Sequence, residues 1–98
     1  MTYLQQLADA IRQTHGVAGT HLKTVPIRET FKGKVAWEGE VEVFSVEHPS
    51  GATRCYCWGY PSDADPNRTE FVCVLGTGPV ISPLTAVQAA IRAQGRPK

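Results

Sequence analysis

Residues 34–48, KVAWEGEVEVFSVEH, and residues 53–60, TRCYCWGY, flank the short link PSGA at 49–52. Two alternating runs around a turn predict a β-hairpin at the centre of an antiparallel sheet. In the first run Val35, Trp37, Val41 and Val43 fall on one face, and Glu38, Glu40 and Glu42 on the other. In the second, Cys55 and Cys57 point one way while Arg54, Tyr56, Trp58 and Tyr60 point the other. The odd apolar phase of the first run passes to the even residues Phe44 and Val46, which predicts a bulge near Val43.

Outward from this hairpin the chain punctuates itself. Upstream, residues 20–30 form a first strand carrying Leu22, Val25 and Ile27, placed at a sheet edge or on a bulge because Pro26 has no amide hydrogen. Gly33 takes the positive φ of the next turn, and Gly39 marks a bend or a close approach. Residues 2–15 predict a helix with Thr2 and Gln5 as a capping box, Leu4, Leu7, Ala8 and Ile11 as its apolar stripe, and Gly16 at its end. His15 reads there as a surface histidine. Downstream, TEFVCVL supplies a fourth strand over 69–75. A last helix begins at Ser82-Pro83 and runs to Gln94, with Leu84, Val87 and Ile91 inward, Gly95 as its stop and the residues after it as a frayed tail.

The order is α-β-β-β-β-α in a single domain over residues 1–98. The expected fold is α+β, a four-stranded antiparallel meander with the N- and C-terminal helices on one face. The loop after the third strand centres near residue 65, which sets Cys57 opposite Cys73 and Gly59 opposite Phe71. The more apolar face, Cys55, Cys57, Phe71, Cys73 and Leu75, is assigned to the helices.

Composition excludes more than it identifies. An apolar fraction of 42% and a charged fraction of 19% fit a folded domain and argue against disorder. A net charge of +1 leaves no clustered basic footprint for a polyanion. No basic segment leads into an apolar one at the N-terminus, and no stretch is long enough to span a bilayer, so a cytoplasmic protein is expected, without membrane contact. Three cysteines cannot all pair within one chain, which fits a reducing compartment.

No motif specifies catalysis. Cys55, Cys57 and Cys73 with His48 have the atoms of a zinc site, but mid-strand cysteines read first as small buried hydrophobes, with a Cys57–Cys73 redox pair as the other reading. Asp63, Asp65 and Asn67 alternate as in a calcium loop, yet the sixth position is Arg68 and the twelfth is Val74, so turn chemistry explains them. GTGP at 76–79 lacks the phosphate-loop lysine. The expected set is therefore no catalytic residue, no metal and no cofactor.

The aromatic face is what the pattern leaves over. Arg54, Tyr56, Trp58 and Tyr60, beside Val72 and Val74, are expected to form an interface, with the glutamates sharing that face. The partner is the protein itself, as a homodimer, or another protein. The alternative is a ligand- or single-stranded nucleic-acid-binding module stacking on Tyr56, Trp58 and Tyr60, although the glutamates disfavour nucleic acid. An unrecognised enzyme is a second alternative.

The runs WEGEVEVFSVEHP, TRCYCW and SPLTAVQAAIRA resemble a family of short bacterial proteins carrying W-E-G-x-V-E-V-F, R-C-Y-x-W and S-P-L-x-A-V-x-A-A-I, over residues 20–93. The resemblance implies a bacterial, self-contained cytosolic domain and transfers no activity, cofactor or catalytic residue. The element order is also loosely similar to double-stranded-RNA-binding folds, but the basic cluster of their last helix is missing.

Overall fold

In the computed structural model, which describes residues 2–62, 64, 65, 67–78 and 80–94, helix α1 spans Tyr3–His15 and strand β1 Thr20–Phe31. Strands β2 (Lys34–Ser45), β3 (Arg54–Pro61) and β4 (Thr69–Leu75) follow, then helix α2 (Pro83–Gln94). Local chemistry sets most of these limits. The Thr2 hydroxyl accepts from the Gln5 N–H at 3.1 Å, and the Thr2 N–H donates to Gln5 Oε1 at 2.9 Å, closing the capping box. Gly16 ends α1 at φ 74°. Lys32 and Gly33, at φ 53° and 77°, make the two-residue turn between β1 and β2. At α2, Ser82 Oγ accepts from the Thr85 N–H at 3.2 Å, as a serine cap should. Gly95 and the tail, Asp63, Pro66 and Pro79 lie outside the described residues.

The strands form one antiparallel sheet in the order β1-β2-β3-β4, with Pro26 on an edge strand. Cys57 faces Cys73 and Gly59 faces Phe71 across β3–β4, as the loop position predicts.

The helices lie on opposite faces, which corrects the expectation that both cover one. Leu7 and Ile11 of α1 are buried against Phe44, Val46, Cys55 and Cys57, with Phe71, Cys73 and Leu75 around them. Ala86 and Val87 of α2 are buried against Val41, Val43, Tyr56 and Trp58, joined by Val25, Ile27, Trp37, Val72 and Val74. Each fully buried leucine, isoleucine or valine contributes roughly 1.5–3 kcal/mol by area, so Leu7 and Ile11 dock α1 and Val87 docks α2, each on its own core. Gln88 also ties α2 to β1, its Nε2–H donating to Glu29 Oε2 at 3.0 Å. Leu84, expected in the inner stripe of α2, is 40% exposed.

This two-sided burial also explains the phase change in β2. Val41 and Val43 face α2 while Phe44 and Val46 face α1, so both phases are apolar without a bulge in β2 at Val43. The irregularity is on β1: His21 pairs with Phe44 and Lys23 with Val43, leaving Leu22 unpaired and 48% exposed. A second shift falls at Ala36, opposite Glu29 and Thr30.

Candidate functional site

The β2–β3 ladder stops early. It runs from Ser45 opposite Arg54 to Glu42 opposite Cys57, and Val46 extends it with a bond to the Thr53 carbonyl at 3.1 Å. Beyond Cys57, β3 keeps pairing with β4 as far as Pro61, and β2 keeps pairing with β1 back to Lys34. The sheet therefore forks, the β1–β2 ribbon turning away from β3–β4 as two-stranded ribbons twist more than wide sheets.

Each side of the fork is filled differently. On the α1 side the Tyr3 hydroxyl accepts from the Gly59 N–H at 2.9 Å, taking the place of a ladder bond. Burial, opposed by that bond, pushes the Tyr3 phenol above its ordinary value. Only a glycine fits comfortably at 59, since a Cβ there would stand 3.1 Å from Thr69 Cγ2 and 3.2 Å from the Tyr3 ring. On the α2 side a cleft of about 200 Å³ opens between Trp37, Trp58 and Tyr60 of the strands and Val87, Ala90 and Ile91 of α2. The Trp37 and Trp58 rings meet edge to face, centroids 5.5 Å apart at 68°. Gly39 makes room for the first ring: a Cβ at 39 would lie 3.0 Å from Trp37 Cη2.

Against this geometry the expected interface residues divide. Tyr56 and Trp58 are 5% and 3% exposed beneath α2, so the open aromatic face expected from the sequence does not exist. Val72 and Val74 pack at the margin of the same core. Arg54 is exposed, and its guanidinium donates to the Thr53 carbonyl at 2.9 Å. Tyr60, 39% exposed, is the expected ring that still reaches both solvent and the cleft. A three-ring stacking platform for nucleic acid is therefore absent among the described residues.

Of the glutamates, Glu70 does share the Tyr60 face, as its partner across β3–β4, but those of β2 lie on the other. Glu42 is across from Cys57, on the α1 face, and is 5% exposed. Its carboxyl oxygen accepts from the His21 Nε2–H at 2.8 Å and from the Thr24 hydroxyl, which satisfies a buried polar group. Sequence reasoning missed Trp37, Val87, Ala90 and Ile91 as cleft residues. Trp37-x-Gly39, a large ring two residues from a space for it, was the one local signal.

The thiols gather under α1. Cys55 and Cys57 are fully buried with sulfurs 3.7 Å apart, while Cys73 is only partly buried. The hydrogen bond with Cys57 lowers Cys55, but its bond with Cys73 and burial outweigh that and push the thiol up to about 12. The bond with Cys55, then that with Cys73, and burial push Cys57 up as well. Bonds from Cys55 and Cys57 hold Cys73 below the usual thiol range against burial, and the nearby His15 acts in the same direction. His15 is an anchor, not a free surface histidine: its Nε2–H donates to the Cys73 carbonyl at 2.9 Å, and the ring stands edge-on to His48 at 6.1 Å. Among the described residues no group of three or more His, Cys, Asp and Glu is disposed to hold a metal ion. In the polar loop, the Asn67 N–H donates to Asp65 Oδ1 at 3.0 Å, an Asx turn, while Asp63 lies outside the described residues. No described helix is long and apolar enough to cross a membrane. No family model matches the chain, and no curated protein or solved structure matches it either.

Proposed function

We propose that this domain is a non-catalytic binding module acting through protein–protein contact, and that its anchor point is the cleft at the sheet fork. The observation that carries this reading is the size and lining of the cleft. Pockets for small molecules start at roughly 300 Å³. At about 200 Å³, with walls of Trp37, Trp58, Tyr60, Val87, Ala90 and Ile91, this one suits a single aromatic or branched aliphatic side chain. Tyrosine and tryptophan are favoured at such contacts because they bury large area with little rotamer entropy. The lining holds no Ser, Thr, Cys, His, Lys, Asp or Glu.

The occupant is a polypeptide side chain, from another protein or from a second copy of this chain. The cellular setting we favour is a bacterial cytoplasm, supported by the motif resemblance and by three free thiols, which a reducing compartment maintains.

Titration with N-acetyl-phenylalanine amide and N-acetyl-leucine amide, followed by amide NMR shifts, tests the cleft. Saturable changes confined to the Trp37, Trp58, Tyr60 and Ala90 region are expected in the wild type. They should vanish in Ala90→Phe, which fills the cleft. Shifts elsewhere, or none, would refute the reading. Light scattering separates the sources: a dimer that Tyr60→Glu dissolves identifies a second copy, and a monomer identifies a separate partner protein.

A further inference from the structure

The cleft leaves the thiol cluster on the other face of the sheet unused. Cys57 and Cys73 are direct cross-strand partners. The Arg54 carbonyl accepts from the Gly76 N–H, and the Ser62 N–H donates to the Arg68 carbonyl, both toward β4. Even-numbered residues of β3 therefore turn their backbone groups to β4, and odd-numbered Cys57 turns its own to β2. The Cys57–Cys73 pair is thus the non-hydrogen-bonded kind, with Cα atoms about 4.5 Å apart. That lies inside the roughly 4.4–6.8 Å range that a disulfide spans.

Cys55 is differently placed. It faces Leu75, and on its own strand it is two residues from Cys57, about 6.8 Å along an extended backbone. Its sulfur approaches Cys57 but its backbone is badly set for linking to it. Access also differs, since Cys55 and Cys57 are sealed under Leu7 and Ile11 while Cys73 is partly open beside His15.

We propose that Cys57 and Cys73 form an oxidation-sensitive dithiol, with Cys73 reacting first with a hydroperoxide and Cys57 closing a cross-strand disulfide. The Cys73 thiolate sulfur attacks a peroxide oxygen and the O–O bond breaks. The other oxygen leaves as alcohol or water after taking a proton, and Cys73 becomes a sulfenic acid. The Cys57 sulfur then attacks the Cys73 sulfur and the S–O bond breaks. The hydroxyl leaves as water with the Cys57 proton. Two electrons pass from the two thiols to one peroxide. The direction of the thiol shifts agrees with this division, Cys73 favouring thiolate and Cys57 staying protonated until it is needed.

The test treats fully reduced protein with hydrogen peroxide, blocks the remaining thiols with N-ethylmaleimide after denaturation, and maps the peptides. The expected product is an intramolecular Cys57–Cys73 disulfide with Cys55 alkylated. Cys57→Ser should stop at a Cys73 sulfenic acid that dimedone traps, and Cys73→Ser should consume peroxide at least tenfold more slowly. A disulfide involving Cys55, an intermolecular link, three surviving thiols, or a sulfinic acid without a disulfide would overturn the proposal. Each of these outcomes is read on the wild-type protein, so a variant that fails to fold does not blunt the test.

Discussion

Trp58→Glu separates the two architectures that the sequence allows. Were the aromatic face open, the charge would break an interface and leave a folded chain. In the structure Trp58 is 3% exposed beneath Val87 and beside Trp37, so the carboxylate would enter a core. The magnitude follows in steps. Truncating a buried tryptophan costs about 3–5 kcal/mol, which Trp58→Ala should show by itself. Part of that is the edge-to-face pair with Trp37, about 0.5–1.5 kcal/mol. An unpaired buried carboxylate then adds several kcal/mol more, on the order of the penalty for breaking a buried ion pair.

A chain of this length has roughly 5–15 kcal/mol of total stability. Trp58→Ala should therefore stay folded with a melting temperature lowered by on the order of 20 °C, at about 4–8 °C per kcal/mol for a domain this small. Trp58→Glu should lose cooperative unfolding altogether. Urea titration followed by far-UV circular dichroism reads both, because it does not depend on the missing indole. A Trp58→Glu protein with a wild-type urea midpoint would refute the placement of α2 over this face.

Two further substitutions probe the helix docking. Val87→Ser should cost about 2–4 kcal/mol and Leu84→Ser less than about 0.5 kcal/mol by urea midpoint, since Val87 is fully buried and Leu84 is 40% exposed. Tyr3 adds a pH dependence. Its folded-state value is raised above the ordinary 10.0, so the neutral phenol's contribution is complete below about pH 10 and lost as pH climbs through the higher folded value. Tyr3→Phe should therefore be slightly less stable than wild type at pH 7, having lost the acceptor for the Gly59 N–H, and should lose less of its remaining stability between pH 9 and 11.

What the sequence makes legible is local or nearly so. Thr2 with Gln5, Gly16, Gly33 and Ser82 carry their signals within four residues, and each does what its chemistry predicts. The β3–β4 register follows from loop position alone. The β2–β3 register was open to the same reasoning: the turn at 48–51, closed by the Gly51 N–H to the His48 carbonyl at 2.8 Å, centres between Pro49 and Ser50. Partners then sum to 99, which sets Val43 against Tyr56 and Glu42 against Cys57, as observed. Placing Glu42 with the other glutamates on the aromatic face hid this, and only the distant His21 and Thr24 show why a carboxylate can face inward. The cleft was less accessible still. Trp37 and Trp58 meet because the sheet forks, and their numbers do not fit the ladder that a flat sheet would continue.

The fork is nonetheless written in the hydrophobic pattern once two-sided burial is allowed for. Strict alternation signals a strand with one covered face, and a continuous apolar run signals a strand covered on both. From Trp37 to Val41 the chain alternates, with Glu38 and Glu40 exposed and Val41 fully buried. From Val41 to Phe44 every residue is buried, as is every residue from Cys55 to Trp58. These continuous runs coincide with the stretch where β2 and β3 pair and both helices press on the sheet. Where alternation resumes, toward the Lys32–Gly33 turn, the ribbon has one packed face and, among the described residues, no strand paired on its β3 side, where Trp37 alone reaches Trp58. A solvated glutamate row there offers no apolar contact to hold the ribbon against β3, so right-handed twist carries it away and the cleft opens at the point where the pattern changes.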